Sequence, residues 1–237
     1  MLKVDFHSHS LFSGCGVHTV VEMLTAARRR GLAGLAITDH GPLIGGKANS
    51  VFFERLHNPV PGIRLLKGME CNLAPESGET DCPRDFLRYM DIILLGLHDN
   101  VPAGLGRDVY TEMLIRALER NPFVDIISHP NSRMFPVDYN RLAGVAKRLS
   151  VALELNNSKV YMKRVEDNET EALILACRDS GCDVAVCSDA HTLHEIGNDR
   201  DIRPLMKKHA FPGERIVNRT AASAFAYVKM RKERKQS

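Results

Sequence analysis

The chain has 237 residues and a formal net charge of +3, with 44% hydrophobic and 26% charged residues. This length reads as a single domain over 1–237, in the range common for α/β barrels. The near-balance of charge argues against an extended nucleic-acid groove, and no apolar run is long enough to span a bilayer. The opening Met-Leu-Lys-Val-Asp lacks a charged-then-apolar export pattern, so a cytoplasmic location is expected. Cys15, Cys71, Cys82, Cys177, Cys182 and Cys187 include no Cys-x-x-Cys pair and read as reduced core thiols or metal ligands.

In chain order the pattern alternates strand and helix. A strand over residues 3–7 precedes a helix over 19–30, capped by Thr19 and stopped at Gly31. Leu32 to Thr38 is a second strand, closed by Asp39-His40-Gly41-Pro42, with a short helix around 51–57 in the polar stretch beyond. Ile63 to Met69 is a third strand ending in Glu70, and residues 71–90 read as loop-rich, with Pro75, Gly78 and Pro83. Ile92 to Leu97 is a fourth strand ending in His98, followed by a helix over 108–120. Val124 to Ile127 is a fifth, running into Ser128-His129-Pro130, with a helix over 138–149 after it. Val151 to Leu155 and Val184 to Cys187 flank a helix over 168–180, and the last strand runs into Ser188-Asp189-Ala190-His191. Helices are expected over much of 194–208 and over 220–232, and the basic tail from Lys229 is expected to fray. Seven apolar strands separated mostly by helices imply a parallel sheet with helices outside it. Polar residues at nearly every strand's C-terminal end favour an α/β barrel, with its site on that rim, over an open doubly wound sheet.

The strand ends carry the chemistry. Asp5, His7 and His9 alternate along one strand face. His40, Glu70, His98, His129, Asp189 and His191 each follow a later apolar run, so six of the ten histidines occupy this one kind of position. Neutral imidazoles with carboxylates suit Zn²⁺, Mn²⁺ or Fe better than Mg²⁺ or Ca²⁺. Six histidines and two carboxylates exceed what one tetrahedral ion can use, which implies more than one metal, with Glu70 able to bridge two ions. Asp5 is expected either to hold an imidazole N–H or to bond backbone, and Asp39 to face a neighbouring loop.

Those motifs resemble the PHP (polymerase and histidinol phosphatase) superfamily, most closely its YcdX-like small bacterial phosphatases. They stand as Asp5-Phe6-His7-Ser8-His9, Ile37-Thr38-Asp39-His40-Gly41-Pro42, Gly68-Met69-Glu70, Gly96-Leu97-His98, Ile127-Ser128-His129-Pro130, Leu153-Glu154-Leu155-Asn156-Asn157 and Ser188-Asp189-Ala190-His191-Thr192. The resemblance implies a distorted (β/α)7 TIM-like barrel and a trinuclear zinc site. It also implies His7, His9, His40, Glu70, His98, His129, Asp189 and His191 as metal ligands. A further ligand, usually His, is expected shortly after the first pair; an ungapped alignment puts Cys15 there. A Cys15 thiolate would favour Zn²⁺, with His18 or no ligand at all as the alternatives.

The expected activity is that of a metal-dependent phosphoesterase, most simply a phosphatase attacking a small phosphate monoester with metal-activated hydroxide. The alternatives are a nuclease or nucleotide phosphodiesterase, an amidohydrolase-type metal barrel, and a non-catalytic metal-binding module. Arg133 and Lys159 follow strand-end motifs and are either phosphate-holding residues or exposed loop residues. Gly41 to Lys47 imitates the start of a phosphate-binding loop, but Ala48 stands where a Ser or Thr belongs. The run Lys229 to Lys235 reads as a solvated terminus rather than a nucleic-acid or membrane contact.

Overall fold

The computed structural model describes residues 2–75 and 77–236, with side chains through Glu233. Its strands are β1 (Val4–Asp5), β2 (Gly34–Ile37), β3 (Arg64–Ala74), β4 (Glu79–Thr80), β5 (Ile92–Gly96), β6 (Ile126–Ile127), β7 (Ala152–Asn156) and β8 (Val184–Cys187). Seven of them run parallel in the order β1-β2-β3-β5-β6-β7-β8, and β4 pairs antiparallel with the end of β3. The helices are α1 (Val20–Arg29), α2 (Ser50–Arg55), α3 (Arg107–Arg120), α4 (Tyr139–Leu149), α5 (Asn157–Tyr161), α6 (Asp167–Ser180), α7 (Ile202–Lys208) and α8 (Ala221–Gln236).

Local signals account for the elements. Thr19 and Glu22 form a reciprocal capping box at the start of α1, and Val20, Met23, Leu24 and Ala27 then fall on one buried face. Asp138 caps α4 by accepting from the backbone N–H groups of Asn140 and Arg141. Alternate strand residues divide between two cores. Val4, Leu66, Ile92, Leu94, Ile126, Ala152 and Ala185 pack inside with Tyr227 and Val228 of α8, while Ile93, Leu95, Leu153 and Val184 pack beneath the outer helices.

The sheet is nearly closed. At its C-terminal end Ser8 bridges Ala190 in parallel register, with His9 N–H donating to the Ala190 carbonyl at 2.8 Å. At the other end the side chain of Asn218 lies between β1 and β8. Its Nδ2 donates to the carbonyls of Val4 (2.9 Å) and Val186 (2.5 Å), and its Oδ1 accepts from Val186 N–H at 3.0 Å. One amide thus serves both strands where no ladder joins them.

Three expectations need correction. The loop-rich reading of 71–90 misses the end of β3 and the β4 hairpin, because cross-strand pairing and burial of Cys71 and Leu73 extend the strand past Glu70. The helix read over 194–208 forms only from Ile202; the segment before it turns around Asp5, whose Oδ2 accepts from Gly197 N–H. The basic tail is not frayed from Lys229, since α8 continues and Arg231 is buried against Asp125 at 2.9 Å. The side chains of residues 234–236, and Ser237, lie outside the described residues. No helix among the described residues is long and apolar enough to cross a membrane.

Candidate metal centre

On β3 the inward series Leu66, Gly68, Glu70 delivers a carboxylate to the barrel rim, where Glu70 is 1% exposed. Its Oε2 lies 3.2 Å from His7 Nε2, 3.4 Å from His9 Nε2 and 3.1 Å from His40 Nδ1. Its Oε1 lies 3.2 Å from His98 Nε2 and 2.9 Å from His129 Nε2. Each oxygen faces its own group of imidazoles. At the end of β8, Asp189 Oδ1 lies 3.2 Å from His9 Nε2, 3.5 Å from His7 Nε2 and 3.7 Å from His191 Nδ1.

Cys15 joins this group. Donor atoms of His9, Cys15, His40 and His191 lie within 4.8 Å of one another, as do those of His7, His9 and Asp189, and those of His40, Glu70 and His98. The structure therefore brings together all nine residues singled out from sequence. His18 stands apart, with its Nδ1 4.0 Å from Glu22 on α1. The loop can return Cys15 to the rim because Gly16 has no side chain; a Cβ there would meet the His9 carbonyl oxygen at 2.5 Å. Gly96 plays the same part under the other imidazoles, since its Cβ would lie 2.7 Å from His98 Cε1 and 3.1 Å from His129 Cε1. His129 (φ 32°) and Asp189 (φ 53°) are held in the left-handed region that non-glycine residues disfavour.

The surrounding hydrogen bonds fix which imidazole nitrogens face inward. His7 Nδ1–H donates to Glu154 Oε1 at 2.7 Å, leaving Nε2 as its lone-pair nitrogen. Ser13 Oγ–H donates to Asp39 Oδ1 at 2.6 Å, so at 2.9 Å it accepts from His9 Nδ1–H. The two Nε2 atoms then confront each other at 3.0 Å. Lone pairs at that distance need a positive charge between them. Burial opposes charge on His7, yet Glu70, Glu154 and Asp189 lift its pKa well above the usual value, while burial takes His9 down to about 3. A divalent cation would satisfy both lone pairs in place of the proton. Close as they are, His40 Nδ1 and Glu70 Oε2 are buried without a hydrogen bond of proper geometry, which is also the behaviour of atoms directed at an ion. The donor set fits a metal.

The carboxylates are kept ionised. Burial opposes the charge on Glu70, but His7, His98 and His129 hold it well below the usual carboxylate range; His7 and Lys159 do the same for Asp189. Cys15 is likewise depressed: burial works against the thiolate, and hydrogen bonds from His191 and His40 outweigh it, bringing the thiol down to about 6.

Asp5 does not hold an imidazole. It accepts from Ser188 Oγ–H (2.5 Å), Ser188 N–H (3.2 Å) and Gly197 N–H (2.9 Å), tying β1 to the segment after β8. Asp39 faces the loop after β1, accepting from Ser10 N–H at 2.6 Å and from Ser13. Glu154 received no role from sequence, yet its Oε2 accepts from His129 N–H at 2.7 Å while its Oε1 holds His7. A charged residue inside an apolar strand run was the available signal, since such groups are rarely buried without a task. Lys159 belongs to the site as well, with its Nζ 3.5 Å from Asp189 Oδ2.

The PHP domain family matches residues 5–196. A protein of Caldicellulosiruptor bescii named probable phosphatase is 32% identical over 97% of this chain and 96% of its own length. Another so named, from Tolumonas auensis, is 34% identical over 92% of this chain and 90% of its own. Among solved structures, histidinol phosphate phosphatase from Lactococcus lactis, complexed with zinc, L-histidinol and phosphate, superposes with a TM-score of 0.63. That match covers 89% of this chain and 94% of the other at 16% identity, a likeness of fold.

Proposed function

This chain belongs to the PHP domain family and is a hydrolase of phosphoric esters, and on that premise we propose that it is a phosphomonoesterase working at a trinuclear zinc centre. The observation that carries the reading is Glu70, a buried carboxylate with five imidazole nitrogens between 2.9 and 3.4 Å of its two oxygens. Around it His7, His9, Cys15, His40, His98, His129, Asp189 and His191 complete the ligand set. Three overlapping groups of donor atoms support a count of three ions, and the thiolate of Cys15 supports zinc over manganese or iron.

Bound divalent ions supply Lewis-acid chemistry, acidifying water and offsetting phosphoryl charge in an in-line displacement. The protein's own part is positioning. Glu154 and the Ser13–Asp39 pair keep the Nδ1 nitrogens of His7 and His9 protonated and their Nε2 atoms aimed inward. Lys159, partly buried beside Asp189, puts a fixed positive charge where phosphate oxygens would gather. The cavity beside the centre, about 450 Å³, suits a small phosphorylated molecule as substrate.

The test is hydrolysis of p-nitrophenyl phosphate and bis-p-nitrophenyl phosphate by zinc- and manganese-loaded protein, with elemental analysis of metal per chain. Preference for the monoester, three ions per chain and loss of turnover in His7→Ala are expected. Faster diester cleavage would overturn the monoesterase reading. A metal content unchanged in Cys15→Ala would remove Cys15 from the ligand set.

A further inference from the structure

Beside the Glu70 centre lies a cavity of about 450 Å³ that touches the ligand set through His98 and His129 alone. These are the two imidazoles on the Oε1 side of Glu70. A leaving group on a phosphoryl at the centre could extend into this cavity, over the segments that follow β6 and β7. The volume suits a small metabolite.

The cavity's walls are cationic. Lys159, Arg133 and Arg164 line it against one lining carboxylate, Asp99. The three cations differ in how they are engaged. Lys159 is ion-paired with Asp189 at the metal centre, placing it at the scissile end. Arg133 is 53% exposed and pairs with Glu166, which does not line the cavity. Arg164 is exposed and has no acidic partner among the described residues. A phosphate monoester with a neutral leaving group would use Lys159 and leave the two guanidinium groups without a ligand anion. Guanidinium forks are suited to paired hydrogen bonds with phosphate or carboxylate oxygens. An ammonium-bearing leaving group would be repelled.

We propose that this cavity is a leaving-group subsite for a second anionic group, so that the substrate is a small phosphomonoester carrying a further phosphoryl or carboxylate group, read by Arg164 and Arg133. The inference rests on the phosphomonoesterase reading above. In it Lys159 faces the scissile phosphoryl group, while Arg164 and Arg133 determine which leaving groups are accepted.

The experiment compares kcat/KM of zinc-loaded protein for D-glucose 6-phosphate, D-glucose 1,6-bisphosphate and 6-phospho-D-gluconate, with p-nitrophenyl phosphate as reference. One or both doubly anionic substrates are expected to exceed D-glucose 6-phosphate by about tenfold or more, the worth of one charge-assisted contact. The preferred member tells phosphoryl from carboxylate. Arg164→Glu is expected to erase that ratio, whereas Arg200→Glu, at a separate surface cavity, should preserve it. Circular dichroism confirms that both variants are folded. Turnover of p-nitrophenyl phosphate with a ratio near one, or a ratio untouched by Arg164→Glu, would overturn the subsite and leave the monoesterase reading standing. No turnover of any monoester would overturn both.

Discussion

His7 and His9 face one another through their Nε2 atoms at 3.0 Å, and each is pinned from behind by a different partner, Glu154 for one and Ser13 for the other. Neither ring can turn away without breaking a buried hydrogen bond. The pair is a pre-set bite for a cation, and the groups behind it become as informative as the imidazoles themselves.

Glu154→Gln tests that arrangement. The amide keeps the shape, but its oxygen and nitrogen cannot both accept from His7 Nδ1–H and His129 N–H. Metal affinity or turnover is expected to fall by about 10- to 100-fold, the usual effect of losing a group that orients a metal-bound histidine. Chelator competition for metal and kcat/KM on p-nitrophenyl phosphate measure it, and wild-type values in both would refute the role of Glu154.

The exposed Cys15 gives a pH readout in chelator-treated protein. With its pKa brought down to about 6 from an ordinary 9.0, the thiolate fraction rises as pH climbs through 6 and is nearly complete by neutrality. Alkylation by iodoacetamide should therefore plateau above pH 7, with its midpoint near the depressed value. A rate still climbing towards pH 9 would mean that His40 and His191 do not stabilise the thiolate. Zinc should protect the thiol.

Asn218→Ala removes three buried hydrogen bonds, leaving the Val4 and Val186 carbonyls and Val186 N–H without this partner. A loss of about 3 kcal/mol of stability is expected, at roughly 1–3 kcal/mol for each stranded group with partial relaxation. Urea unfolding measures it; a change below about 1 kcal/mol would show that another group fills the gap.

Arg231→Met tests whether the last helix is integral. Arg231 pairs with Asp125 and also donates to the carbonyls of Leu149, Ser150, Pro122 and Val124. Breaking one side of such a buried pair costs about 3–5 kcal/mol. Unfolding that matches wild type would restore the solvated-tail reading.

The histidines were legible because each follows an apolar strand run, and a strand's direction fixes which rim its last residue reaches. Strand direction alone therefore puts His7, His9, His40, Glu70, His98, His129, Asp189 and His191 on one ring. What pulled Cys15 rather than His18 inward was loop geometry at Gly16, a three-dimensional constraint that spacing alone does not express. Glu154 hid because strand alternation carries it into the barrel, and only its two partners reveal its purpose. Arg231 reads as one more charge in a basic run, since nothing local announces that Asp125 waits beneath it. The late start of α7 has the same kind of cause, since a hydrogen bond from Gly197 to the distant Asp5 helps organise the preceding turns.

The closure between β1 and β8 is the place where the two halves of the chain's history meet, its earliest strand and its last. Asn218 fastens one end of that seam, and the proposed ligands straddle the other, with His7 and His9 on one lip and Asp189 and His191 on the opposite lip. An ion held by both lips is a clasp as well as a reagent. Metal loading would add to the hold that Asn218 already has on this seam, so depletion of metal is expected to loosen the fold first between β1 and β8.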